Sequence, residues 1–163
     1  MIVVVMGVAG AGKTTVGRAL AARLGWPFAD ADAFHSAEAV AKMARGEGLT
    51  DADRAPWLGR LRALIERHLA EGRPLVLACS ALKARYRRTL AREGEPVRFV
   101  WLDAPADALV ERLESRPGHF AGADLLDSQL AALEPPGNAL RLDAREPPER
   151  LVEAAVAALG LEE

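Results

Sequence analysis

Several absences narrow what this chain can be. It holds one cysteine, Cys79, in 163 residues, so no disulfide forms within it and a reducing compartment is expected. No apolar run approaches the ~20 residues that span a bilayer, which argues against a membrane role. A formal net charge of -2 supplies no basic field, so nucleic acid is not an expected partner. No internal repeat, low-complexity tract or linker divides the chain, and one domain over residues 1–163 is expected. The apolar start MIVVVMGVAGAG lacks the basic segment of a secretory leader and runs directly into GKTT, so a cytoplasmic location is expected.

What is present alternates between two periodicities. IVVVM at residues 2–6 is continuously apolar and β-branched, as in a strand buried on both faces. Val16, Ala19, Leu20 and Leu24 then recur at helical spacing up to Gly25. PFAD, PLVLACS, VRFVWLD and ALRLD read as further strands. Between them lie helical stretches at SAEAVAKMARG, the run after LTDADRAPW, ALKARYRRTLARE, PADALVERLESR, LLDSQLAAL and PPERLVEAAVAAL. Alternation of this kind predicts an α/β fold, a parallel five-stranded sheet with helices on both faces.

Between the first strand and first helix stands Gly7-Val8-Ala9-Gly10-Ala11-Gly12-Lys13-Thr14, a G-x-x-x-x-G-K-[ST] loop in its proper context. The glycines let successive N–H groups turn inward and leave no Cβ in the path of a phosphate chain. The helix N-terminus adds partial positive charge. Lys13 can reach the β- and γ-phosphates, and the Thr14 hydroxyl can ligate Mg²⁺. Together with Thr15 these residues predict a P-loop NTPase fold that uses ATP and Mg²⁺. The chain has no N-K-x-D for reading guanine, and PLVLACS ends in Cys79 and Ser80 where motor ATPases place an aspartate. Its carboxylates stand instead in FADADAFHS, which points to a small-molecule kinase.

GVAGAGKTTVG, DADAFH, KMARGEGLTDADRAPWL, CSALKARYR and RPGHF occur in an order and spacing that resemble the gluconate kinase family, from residue 5 to about residue 134. Ser36, Ala39 and Gly48 depart from residues common in that family, where proline, asparagine and proline often stand. The resemblance implies phosphorylation of D-gluconate, a nucleoside-monophosphate-kinase-like architecture with a small lid over about 116–124, and a homodimer. Two other readings stay open: another small-acid kinase such as a shikimate kinase, and an ATP-binding regulatory module without turnover.

Asp32 is the candidate base for the acceptor hydroxyl, and Asp30 the candidate for the Mg²⁺ shell beside Thr14. An aspartate in this position can equally cap the helix that follows. His35 has two open roles, holding a substrate hydroxyl or bracing Asp32, and a third in which it does neither. Arg54 is the candidate for the substrate carboxylate, its alternative being a surface pair with Asp51 or Asp53. Lys83 and Arg87 lie one helical turn apart and form a candidate anion-holding face, with Arg85 and Arg88 left to solvent. Arg112, Arg116 and His119 flank or occupy the lid; closure there would bring Arg116 onto the transferring phosphoryl group and His119 toward substrate. The resemblance further implies that Arg112 or Arg116 touches nucleotide and that Pro147 flanks adenine. Gln129 is a further substrate candidate. Cys79 reads as a small buried residue and not a nucleophile.

Overall fold

The computed structural model describes residues 1–115 and 122–161. Its centre is a parallel sheet of β1 (Ile2–Met6), β2 (Phe28–Asp30), β3 (Leu75–Ala78), β4 (Val97–Asp103) and β5 (Leu140–Asp143), in the order β2-β3-β1-β4-β5. All five residues of β1 are buried, as its unbroken apolar run requires of a central strand. Val3 and Val5 face a core built with α1 (Lys13–Leu24), α5 (Ala106–Glu114), α6 (Gly122–Ala132) and α7 (Pro148–Leu159). Ile2, Val4 and Met6 face a second core built with α3 (Asp51–Ala70) and α4 (Ala84–Leu90). α2 (Ala37–Ala44) is N-capped by the Ser36 hydroxyl. No helix among the described residues is long and apolar enough to cross a membrane.

From β1 the chain crosses to the edge strand β2 and returns through β3, so β1 has β3 on one side and β4 on the other. This arrangement opens a crevice at the carboxyl ends of the strands, where open α/β sheets bind ligands. Two close approaches shape its floor. A Cβ on Gly7, at φ 150°, would stand 2.8 Å from the Leu102 carbonyl oxygen, so the chain leaves β1 against the backbone of β4. A Cβ on Gly17 would stand 2.8 Å from the Phe28 ring, so α1 lies directly on β2. That second contact carries the end of β2 to the start of α1.

One helix is shorter than its sequence pattern predicts. The stretch ALKARYRRTLARE forms a helix only over Ala84–Leu90. Before it Ala81 holds a left-handed φ of 46°, a conformation costly for a residue with a Cβ. Arg87 Nη1 holds this loop beneath the helix, donating to Ala81 O at 2.7 Å and Leu82 O at 3.1 Å.

Candidate active site

The loop of residues 7–14 curls over the carboxyl end of β1, with Gly7 N–H donating to Ser80 O of the loop after β3 at 3.4 Å. Lys13 Nζ donates to Val8 O at 3.0 Å, which folds its ammonium over the loop. A hollow of about 180 Å³ opens on one side, with Ala9, Lys13, Thr14, Asp32, His35, Arg54 and Gln129 among its lining. A second hollow of about 230 Å³ opens on the other side, toward Arg112, Ala144, Pro148 and Leu151. Gly10, Gly12 and Thr15 border both. The first hollow carries the ionisable groups that transfer chemistry needs, whereas the apolar wall of the second suits a nucleoside.

The two aspartates of FADADAFHS have separated tasks. Asp30 Oδ2 accepts from the Thr14 hydroxyl at 2.8 Å, and its Oδ1 accepts from Asp32 N–H at 2.9 Å. The helix that follows is capped by Ser36 and by neither aspartate; Asp30 instead caps the 3₁₀ turn Ala31–Phe34 with the same carboxylate that meets Thr14. Asp32 borders the hollow, and no described group hydrogen-bonds its carboxylate. Among the described residues no group of three or more His, Cys, Asp or Glu side chains could hold a metal ion. The Thr14–Asp30 oxygen pair suits a cation that takes few protein ligands and fills its remaining positions with phosphate oxygens and water, as Mg²⁺ does.

His35 stacks on Trp57 with ring centroids 4.4 Å apart and planes 13° from parallel. Trp57 is itself fixed by its Nε1–H, which donates to Ala31 O at 2.7 Å. The buried His35 Nδ1 has no hydrogen-bond partner among the described residues, and the ring borders the hollow. Burial lowers the His35 pKa below 6.5; Asp32 opposes the shift, while Arg54 and Arg60 add to it. A histidine with a depressed folded pKa takes up its proton first in the unfolded chain, so stability falls as pH drops from 6.5 toward the folded value, below which the loss is complete. Wild type is expected to lose more unfolding free energy than His35→Gln between about pH 7.5 and about pH 5.5. Parallel urea titrations at the two pH values check this, and equal losses would place the ring in solvent.

Arg54 is 7% exposed and lines the same hollow. Its Nη1 donates to Leu49 O at 2.7 Å and to the Tyr86 hydroxyl at 3.3 Å, with the guanidinium carbon 5.4 Å from the Tyr86 ring centre. Neither alternative surface pair, with Asp51 or with Asp53, forms. Asp53 closes the capping box with Thr50 and takes Lys42 at 2.7 Å, while Asp51 takes Lys83, Arg85 and the Tyr86 hydroxyl. No carboxylate pairs with Arg54 among the described residues.

Other candidates stand elsewhere. Lys83 pairs with Asp51 at 3.2 Å, and Arg87 is buried with its Nη2 donating to Glu134 O at 2.8 Å, so neither lines the hollow. Their helical spacing predicts a shared face; the loop at residues 80–83 instead turns Arg87 inward. Arg85 pairs with Asp51, while Arg88 is exposed. Arg112 donates to Gly10 O and Ala11 O, each at 3.2 Å, and to Ala144 O, joining the phosphate loop to the wall of the second hollow. Pro148, the first residue of α7, borders that hollow, and Pro147 does not. Gln129 Oε1 accepts from Ala9 N–H at 2.6 Å. Arg116 and His119 lie outside the described residues, as does most of the expected lid. Cys79 is buried, and desolvation pushes its thiol up to about 12, which leaves it inert.

Sequence reasoning missed the aromatic side of the site. Trp57 and Tyr86 belong to LTDADRAPWL and CSALKARYR, two stretches whose charged residues drew the assignments. An aromatic three residues after a candidate arginine on one helix was the available signal.

The AAA domain family profile matches residues 2–136. A gluconokinase of Gluconobacter oxydans (strain 621H) is 46% identical over 156 residues, covering 94% of this chain and 88% of that protein. The crystal structure of a sugar kinase from Janibacter sp. HTCC2649 superposes with a TM-score of 0.90 at 48% identity, over 98% of this chain and 94% of the other. A gluconokinase structure from Sinorhizobium meliloti 1021 superposes with a TM-score of 0.84 at 44% identity, over 97% and 90%. With the phosphate loop, the displaced aspartates and the buried arginine in place, identity of this extent along the chain shows that the protein belongs to the gluconokinase family of P-loop kinases.

Proposed function

We propose that this protein transfers the γ-phosphoryl group of ATP to the terminal hydroxyl of D-gluconate, giving 6-phospho-D-gluconate and ADP. The observation that carries the reading is Arg54, a buried cation with no carboxylate partner among the described residues, in one hollow with Lys13 and Asp32. A buried charge is costly unless paired, and a planar guanidinium matches a carboxylate in two-point geometry. A sugar acid would complete Arg54 at one end and present its far hydroxyl to Asp32 at the other.

In the transfer, the acceptor oxygen forms a bond to the γ-phosphorus as the bond from phosphorus to the β,γ-bridging oxygen breaks. The hydroxyl proton passes to the Asp32 carboxylate, and the electron pair of the broken bond leaves with ADP. Lys13 and the N–H groups of the loop stabilise charge on the phosphoryl oxygens. Because the transition state is loose, holding the hydroxyl in line contributes as much as accepting its proton. Thr14 and Asp30 would hold Mg²⁺, which neutralises β- and γ-phosphate oxygens when bound. His35, stacked on Trp57, would meet a substrate hydroxyl through a ring nitrogen, Arg116 would act on the transferring phosphoryl group, and His119 would meet the substrate.

An ADP-release assay with gluconate, shikimate or no acceptor tests the assignment. Turnover with gluconate well above both other conditions is expected. Equal rates in all three would reject the kinase, and a preference for shikimate would reassign its substrate.

A further inference from the structure

The acceptor side of the phosphate loop carries a hydrogen bond for which phosphoryl transfer has no need. Ala9 N–H donates to Gln129 Oε1 at 2.6 Å. Ala9 borders the hollow that holds Lys13, Thr14 and Asp32, and is not part of the nucleoside-side lining. Its N–H therefore addresses the end of the phosphate chain where transfer occurs. An amide hydrogen makes one well-aligned bond, so a carboxamide oxygen and a phosphoryl oxygen cannot both hold it at full strength. The phosphoryl oxygen is anionic and makes the stronger, charge-assisted bond.

Gln129 does not act alone on its helix. Ser128 packs against the substrate-side loop so closely that a Cβ on Gly48 would run into its hydroxyl. Leu125, one turn earlier, lines the hollow. Consecutive residues of α6 thus touch the loop before Arg54 and the loop that binds phosphate.

We propose that Gln129 is a positioning residue that competes with the terminal phosphoryl group for Ala9 N–H, so that a triphosphate must displace it and a diphosphate need not. Loss of the terminal phosphoryl group to the acceptor then lets Gln129 retake the N–H. This deepens the kinase reading and rests on it: the site discriminates nucleotides by a protein group that occupies the γ-phosphate position when that phosphate is gone.

Calorimetric titration of the full chain with Mg²⁺ and either ADP or a β,γ-imido ATP analogue, without acceptor, tests the proposal. Gln129→Ala is expected to tighten the triphosphate analogue about 2- to 10-fold, the net worth of one neutral hydrogen bond, and to leave ADP unchanged. Gln129→Glu sets an anion in the same place and is expected to weaken the analogue more than ADP. A merely structural glutamine would shift both nucleotides together, and that result overturns the proposal, as does an unchanged ratio or a weaker analogue in the alanine variant. If Gln129→Ala fails to fold, Gln129→Asn, one methylene too short to reach, runs the same comparison. Wild type binding neither nucleotide would overturn the kinase reading as well, whereas binding with an unaltered ratio in the variants overturns this inference alone.

Discussion

Asp32→Asn is expected to lower kcat with gluconate by about 10²-fold or more, the usual reach of general acid–base catalysis. Asparagine keeps the size of the side chain and its place at the hollow but cannot accept the hydroxyl proton. The local fold should survive, because Asp30 holds residue 32 through its backbone N–H at 2.9 Å and not through its carboxylate. Affinity for ATP should stay within a small factor of wild type, since Asp30, not Asp32, meets Thr14. Steady-state rates with a parallel nucleotide titration check both statements. A large loss of ATP binding would move Asp32 to the metal, and an unchanged kcat would remove it from the chemistry.

Arg87→Met is expected to destabilise the fold by about 2–4 kcal/mol while kcat and the gluconate KM of the folded enzyme stay within about twofold. Arg87 is 9% exposed, and its guanidinium donates to three backbone carbonyls, those of Ala81, Leu82 and Glu134. Methionine fills the space of the stem but leaves Ala81 O and Glu134 O without this donor, while Leu82 O keeps the Glu134 N–H at 2.8 Å. The Glu134 side chain also accepts from Ala84 N–H at 2.7 Å, so the arginine closes a joint between the start of α4 and the chain after α6. Denaturant unfolding and steady-state kinetics on the same preparation separate the outcomes. A raised gluconate KM at unchanged stability would return Arg87 to the substrate side, where its sequence spacing from Lys83 had suggested it belonged.

The contrast between those residues shows what a linear pattern conveys. The phosphate loop was legible because its chemistry is local: glycines, a lysine and a threonine within eight positions shape a backbone that needs little help from the rest of the chain. The strands were legible for the same reason, since apolar runs such as IVVVM have few other places to go. Asp30 and Asp32 were legible as a pair. Which one caps was not, because the choice depends on Thr14, 16 residues away in sequence and 2.8 Å away in space.

The basic stretch before and along α4 was the least legible. Lys83, Arg85 and Arg87 carry the same charge and similar length, and nothing in their spacing distinguishes a surface ion pair from a buried clamp. Asp51 on α3 takes Lys83 and Arg85, and three carbonyls take Arg87. Arg54 has the opposite history. Its neighbours Asp51 and Asp53 offered obvious partners, and both turned to other cations.

By itself the sequence determined that the chain builds a parallel α/β sheet around a phosphate loop, with a pair of carboxylates at the end of the second strand. Those features follow from short-range periodicity and backbone sterics. Only the tertiary structure decided which charged groups remain open to a ligand, because a charge at a site is defined by the partners it lacks. Those partners come from α3, α4, α6 and the loops between strands, and only folding brings them together.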